Sequence, residues 1–307
     1  MNFKPLEIAD YPILKPYFAD STCNLSIYSP ASLIAWSGCV SQTSYAVEDG
    51  TLLIADEPLK RPEDRHLILP VGRSHFPVPA ELIDIAKRCG YGSYWFVPED
   101  YLALYGETAL SADFLLEEQK EFEDYIYWTE ALAELRGNRY TKKRNLLNQF
   151  AREYLDRDRV RVENMGGDSR EECLDFLEKW CAERDCDPVS NWDLACEKKA
   201  AVTVIRHLRD LEAEGLFIRI DGQISAFGIS LRLNERMGIL IFEKAFSRIK
   251  GLYQFLDREC AKRLFGGYLY INKESDMNIP ELAHSKMSYH PALRVKSYRL
   301  TLREFSS

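Results

Sequence analysis

Leu216-Phe217-Ile218-Arg219-Ile220-Asp221-Gly222-Gln223-Ile224-Ser225-Ala226-Phe227-Gly228-Ile229 is the stretch whose reading decides the fold. Two apolar runs flank Asp-Gly, and the central residues of a type I′ turn need positive φ, so the pattern predicts a β-hairpin. Met237 to Lys244 follows with the unbroken apolar core Ile239-Leu240-Ile241-Phe242, as expected of a strand covered on both faces. After the polar loop Ser247-Arg248-Ile249-Lys250-Gly251, residues Leu252, Phe255, Leu256, Cys260 and Leu264 recur at helical spacing. Gly266-Gly267 ends that helix, and Tyr268-Leu269-Tyr270-Ile271 reads as a further strand.

Hairpin, buried strand, basic glycine loop, helix, strand is an order that resembles the GNAT acyltransferase fold. In such a fold Arg248-x-x-Gly251 resembles half of a pyrophosphate-binding signature. A glycine at a helix start lets backbone N–H groups approach a phosphate, while the helix dipole and a basic side chain favour the anion. Working back towards the N-terminus, the same order recurs. Ser29-Pro30 starts a helix, Glu48-Asp49-Gly50 separates two apolar strands, and Leu67-Ile68-Leu69 is a short buried strand. Ala80 to Cys89 is a helix stopped by Gly90, and Tyr94-Trp95-Phe96-Val97 is a strand stopped by Pro98. The fold class expected is therefore mixed α/β, two tandem GNAT-like units of mixed sheet flanked by helices, with domains at 1–124 and 125–307. The main cleft is expected in the second.

At 307 residues, 46% of them hydrophobic, the chain is long enough for two cores. No apolar run approaches the roughly 18 residues of a membrane span, and Met1-Asn2-Phe3-Lys4-Pro5 lacks an apolar signal core. The expectation is a cytoplasmic protein, with a peripheral position at the membrane surface open to it. Its 8 cysteines are expected to be reduced, because Cys173, Cys181, Cys186 and Cys196 fit no zinc spacing and Cys173 and Cys181 lie on the apolar face of a helix. No metal site is expected.

A net charge of −8 argues against a general nucleic-acid binder. Arg136, Arg139, Lys142, Lys143 and Arg144 nevertheless form a dense basic cluster at the start of a helix predicted over Tyr140 to Leu155. Cations there oppose the helix dipole, so a counter-anion would relieve a cost. Ser169-x-x-Glu172 predicts a capping box for the next helix. Near the C-terminus, Lys273-Glu274-Ser275-Asp276 is a polar loop directly after a strand, Lys286-x-x-Tyr289-His290-Pro291 follows a helical turn, and Leu293 to Leu302 reads as a last strand. Polar groups just past strand ends are where open α/β folds bind ligands.

Tyr125-x-Tyr127, Gly137-x-x-Tyr140-x-Lys142-Lys143-Arg144-Asn145-x-x-Asn148-x-Phe150, Phe242-Glu243-Lys244-Ala245, Ile249-x-Gly251-x-Tyr253, Tyr270-Ile271-Asn272 and Lys286-x-Ser288-Tyr289-His290-Pro291 together resemble the phosphatidylglycerol lysyltransferase C-terminal-domain family, in its soluble stand-alone branch. That family is similar to the Fem-type aminoacyltransferases. The resemblance implies transfer of an aminoacyl group from aminoacyl-tRNA to an amine or hydroxyl acceptor, an anionic lipid or a small molecule, with no cofactor required. By that resemblance Lys286, Glu243 and Lys244 match active-cleft positions; with Asp276, added from its position and type, they are the catalytic candidates, the lysines for oxyanion stabilisation and the carboxylates as base. Arg248, Lys250, Gly251, Asn272, Tyr289, Lys142, Lys143 and Arg144 are the substrate-binding candidates. Two other classes stay open: an acyltransferase using acyl-CoA as donor, and a catalytically silent binding protein.

Overall fold

The computed structural model describes residues 1–72, 75–184, 186–187, 189 and 191–305. The chain divides into two compact units. The first takes Met1–Asp124, Glu274–Pro280 and Arg294–Ser307, and the second Tyr125–Lys273 and Glu281–Leu293. The described strands form two seven-stranded sheets.

In the first unit the strands are β1 (Lys4–Pro5), β2 (Ser41–Glu48), β3 (Thr51–Pro58), β4 (His66–Leu67), β5 (Ser93–Pro98) and β6 (Phe114–Glu118). Its helices are α1 (Tyr11–Leu14), α2 (Pro30–Trp36), α3 (Pro79–Cys89), α4 (Glu99–Tyr105) and α5 (Glu107–Asp113). The sheet runs β1-β2-β3-β4-β5, then the C-terminal strand Ser297–Leu302, then β6. Every neighbouring pair is antiparallel except β4 and β5, which α3 connects. Asp49 and Gly50 take φ of 47° and 72°, as the I′ turn between β2 and β3 requires.

The second sheet and its helices comprise β7 (Asp124–Trp128), α6 (Thr129–Glu134), α7 (Thr141–Phe150), β8 (Val160–Asn164), α8 (Arg170–Arg184), α9 (Trp192–Arg206), β9 (Glu214–Ile220), β10 (Gln223–Arg232), β11 (Met237–Ala245), α10 (Leu252–Arg263), β12 (Tyr270–Asn272), α11 (Pro280–Met287) and the edge strand β13 (Leu293–Val295). Its order is β13-β7-β12-β11-β10-β9-β8. Here too a parallel pair, β11 with β12, is joined by a helix, α10. Asp221 and Gly222 turn β9 into β10 with φ of 51° and 80°. Both sheets thus show the GNAT-like plan of an antiparallel meander, a crossover helix and a parallel strand. Phe150 of α7 stacks on Phe255 of α10 with ring centroids 4.9 Å apart, and Leu147, Leu252 and Leu256 close the same core. Burying each such side chain contributes about 1.5–3 kcal/mol.

Three expectations differ from what is observed. The last strand is not continuous: it breaks at Lys296, with Leu293–Val295 in the second sheet and Ser297–Leu302 in the first, and Glu274–Pro280 and Arg294–Ser307 group with the first unit rather than within 125–307. The capping box does not form as read, because Glu172 turns to Arg219, whose guanidinium donates to both its oxygens at 2.6 and 2.9 Å. The cysteines are not all reduced either. Cys181 and Cys186 are joined as a disulfide, Cα atoms 5.1 Å apart. Just past α8 the chain folds back so that the Cys186 N–H meets the Cys181 carbonyl at 3.4 Å.

Candidate active site

β11 leads with alternating side chains, and consecutive strand residues point to opposite faces. Glu243 faces α10, whose Asp257 is buried beside it. From the end of β12, Lys273 reaches between the two carboxylates, its Nζ donating to Glu243 Oε2 and Asp257 Oδ1 at 2.8 Å each. Tyr289, just past α11, is hydrogen-bonded to Asp257 and lies with its ring 5.4 Å from Lys273 Nζ. Lys143 of α7 covers the other approach, its ammonium 3.6 Å from the Tyr289 ring centre and donating to Ser288 Oγ at 2.7 Å. Lys286 Nζ donates to the Lys273 carbonyl at 2.6 Å, and Tyr127 Oη donates to the Lys286 carbonyl at 2.8 Å.

Two carboxylates share one ammonium, and that sets the electrostatics. Burial and the neighbouring Asp257 charge push Glu243 up to about 7, with Lys273 offsetting only part. Burial works against the charge on Lys273, but Asp257 and Glu243 outweigh it and hold the ammonium well above the ordinary lysine range. Lys143 goes the other way: burial brings it down to about 8, against the pull of Asp257 and Glu243 and with the help of Lys273's charge. The site therefore combines a carboxyl poised near neutrality, a locked cation and a partly desolvated amine. Such a set can exchange protons and stabilise developing negative charge at neutral pH.

Of the sequence candidates, Glu243, Lys143, Tyr289 and Lys286 come together here, and Asn272 is fully buried at the end of β12, one residue before Lys273. The others lie elsewhere. Lys244 points to the opposite face of β11, where it pairs with Glu197 and lies 4.4 Å from the Trp180 ring. Arg248 pairs with Glu183 of α8 and rests on Phe246, 3.9 Å from the ring centre. Lys250 is exposed in the loop before α10. Gly251 starts α10 with φ +84°, but a Cβ there would meet the Leu146 carbonyl oxygen of α7 at 2.3 Å. That glycine serves the approach of a helix backbone. Lys142 is exposed, and Arg144 donates to the Leu135 and Gly137 carbonyls at 2.6 Å each, which ties down the turn after α6. Asp276 belongs to Glu274–Pro280 of the first unit, where its Oδ1 accepts from the Asn278 N–H at 2.9 Å.

The cluster sits on segments that carry the family motifs, and residues 31–301 match the family model described as phosphatidylglycerol lysyltransferase, C-terminal. The chain belongs to that family. Among solved structures, a conserved protein of unknown function from Bacteroides thetaiotaomicron is similar, with 27% identity, a TM-score of 0.88, and coverage of 99% of this chain and 100% of the other. A C-terminal domain assigned to a lysylphosphatidylglycerol synthetase of Agrobacterium fabrum shares the fold at 14% identity, with a TM-score of 0.63 and coverage of 96% and 91%. An uncharacterized protein of Mycoplasmoides gallisepticum is 27% identical over 177 residues, 57% of this chain and 54% of that protein. The match thus spans about half the length of that curated relative. Among the described residues no helix is long and apolar enough to cross a membrane.

In this member of the phosphatidylglycerol lysyltransferase C-terminal family, the sequence marked Lys273 only as part of a polar loop after a strand, with no role of its own, and did not mark Asp257. Signals for both existed. Asp257 is an acid directly after Leu256 on the inward side of an amphipathic helix, and Lys273 is the first residue after a buried strand. A buried acid at one and a buried base at the other is a pairing that only the fold brings within reach.

Proposed function

We propose that this chain is an acyltransferase that moves an aminoacyl group from aminoacyl-tRNA to an amine or hydroxyl acceptor. The observation that carries the reading is Glu243, raised to about 7 beside the Lys273 ammonium it shares with Asp257. A general base works best when its pKa lies near the operating pH. In the proposed step the acceptor's nitrogen or oxygen attacks the ester carbonyl carbon as Glu243 takes its proton. The tetrahedral oxyanion forms beside the ammonium of Lys143. Collapse breaks the bond between the carbonyl carbon and the ribose oxygen, and Glu243 returns the proton to that leaving oxygen. Lys273 holds the two carboxylates in register and carries no proton through the cycle.

Two observations speak against acyl-CoA as the donor. The loop that would cradle a pyrophosphate has its glycine filled by the Leu146 carbonyl, and its arginine is held by Glu183. The test is a donor comparison. Purified protein is incubated with tRNA charged with radiolabelled amino acids, with phosphatidylglycerol vesicles or small amines as acceptors, and in parallel with acetyl-CoA. Transfer from charged tRNA alone is the expected result; turnover of the thioester alone would contradict it.

A further inference from the structure

Besides the buried cluster, the second unit carries an open groove of about 610 Å³, lined by β7, α6, the turn before α7 and the end of α10. Its mouth is aromatic and apolar. Trp128 is 43% exposed and Leu269 42% exposed, and Trp128 lies against Tyr270 with ring centroids 4.5 Å apart. Exposed cations surround it. Arg139 lies 5.0 Å from the Tyr140 ring and Arg236 5.8 Å from the Tyr270 ring, while Lys262 and Arg136 stand on the wall. Two acids, Glu130 and Glu134, also line it, and both are engaged by Arg136, at 3.9 and 2.6 Å.

We propose that this groove is a stacking platform for the unpaired bases of an RNA 3′ end. The inference rests on the RNA-linked donor proposed above and adds the place where that donor is gripped. An exposed tryptophan backed by a second aromatic offers a face to any base, and flanking arginines and lysines follow the phosphates. A protein of net charge −8 that gathers cations around an exposed indole is matched to a polyanion with aromatic bases, not to a neutral apolar surface. Tyr140 connects groove and cluster: its ring lines the groove, and its hydroxyl donates to the Tyr289 carbonyl at 3.1 Å, next to Lys143 and Lys273. A strand whose penultimate bases stack on Trp128 would carry its terminal ribose across Tyr140 towards Glu243.

The experiment is fluorescence anisotropy of a 5′-labelled single-stranded RNA pentanucleotide ending in CCA, with the full-length chain, at two salt concentrations. Stacking on an aromatic side chain contributes about 1–3 kcal/mol per base, so Trp128→Ala should weaken binding roughly tenfold or more, and Trp128→Phe should retain most of it. Both variants should keep the melting temperature within about 2 °C, since the ring is half exposed. Arg139→Glu should weaken binding further at low salt than at high salt. Equal affinity of wild type and Trp128→Ala overturns the inference. So does transfer from charged tRNA with no measurable pentanucleotide binding, a result that leaves the proposed reaction standing. Trp128-dependent binding without transfer from any charged tRNA supports the platform and removes the reaction.

Discussion

In the first unit the strand of the parallel pair, β4, begins at His66. That imidazole is 1% exposed, stacks on Trp95 with ring centroids 4.4 Å apart, and meets the Asp64 carbonyl through Nδ1 at 2.8 Å. Its Nε2 has no hydrogen-bond partner, and Asp56 Oδ2 stands 4.0 Å away. In the second unit the corresponding strand, β11, carries Glu243, and there each carboxylate is met by Lys273 at 2.8 Å. The same strand plan thus holds a nearly neutral, aromatic polar centre in one copy and a three-charge cluster in the other. Burying charge costs several kcal/mol unless it is paired, so a fold that needed only stability would keep the first arrangement. The second is the one that shifts a carboxyl to the pH at which proton transfer is useful.

The sharpest way to break this comparison is to remove the shared cation. Lys273→Met should destabilise the protein by about 3–5 kcal/mol, because two buried carboxylates lose their partner. His66→Phe in the first unit should cost only about 1 kcal/mol, since a ring of similar shape keeps the packing and only the one hydrogen bond from Nδ1 to the Asp64 carbonyl is lost. Urea unfolding of both variants measures this, and equal losses would mean that the cluster is no more committed than the aromatic centre.

The glycine loops give the next contrast. Gly72 and Gly251 both follow the strand of the parallel pair and have φ of +93° and +84°, but a Cβ on Gly72 meets the Tyr17 ring at 2.4 Å whereas one on Gly251 meets a backbone carbonyl. A ring can swing aside and a helix backbone cannot. Gly251→Ala should therefore cost roughly 2–5 kcal/mol, the left-handed penalty plus overpacking, and Gly72→Ala less, by thermal unfolding. A smaller loss at Gly251 would show that α7 yields, and would return that loop to consideration as a phosphate site.

The dependence on pH separates the two centres by sign. Burial, against the opposing charge of Asp56, lowers the His66 pKa from 6.5, so the stability it contributes is fully present above 6.5 and is lost as pH falls from there through the lowered folded value. Glu243 is raised from 4.5 to about 7, so its contribution is present below 4.5 and fades as pH rises through 7. His66→Phe should flatten the acid limb of the stability profile, and Glu243→Gln should flatten the limb between 4.5 and 7. The smallest expected change is Arg144→Ala, which removes the hydrogen bonds to the Leu135 and Gly137 carbonyls. A loss of about 1 kcal/mol is predicted, with transfer unaffected; a fall in transfer would bring Arg144 into the site.

Much of this was legible before any coordinate. Asp49-Gly50 and Asp221-Gly222 announce their hairpins through backbone chemistry alone, and Gly90 stops its helix in the left-handed conformation that residue tolerates. Such signals are local, so a sequence carries them in full. Glu243, Lys143, Tyr289 and Lys286 were legible because they lie in motifs at strand and helix ends. Arg248 and Lys244 misled because what decides their direction is a partner far along the chain, Glu183 for one and Glu197 for the other. Lys273 was given no role for the same reason in reverse: its two carboxylates come from different elements, and no spacing pattern records their meeting.

The most direct test of the account is the single-turnover rate of aminoacyl transfer from charged tRNA, measured from pH 5.5 to 8.5 for the wild type and for Glu243→Gln. Both must be shown folded by near-ultraviolet circular dichroism. The account predicts a wild-type rate that rises with an apparent pKa near 7, and a loss of about 10²–10⁴-fold in Glu243→Gln, the span a general base contributes, with the inflection gone. A Glu243→Gln enzyme that keeps the wild-type rate and the same inflection would contradict it.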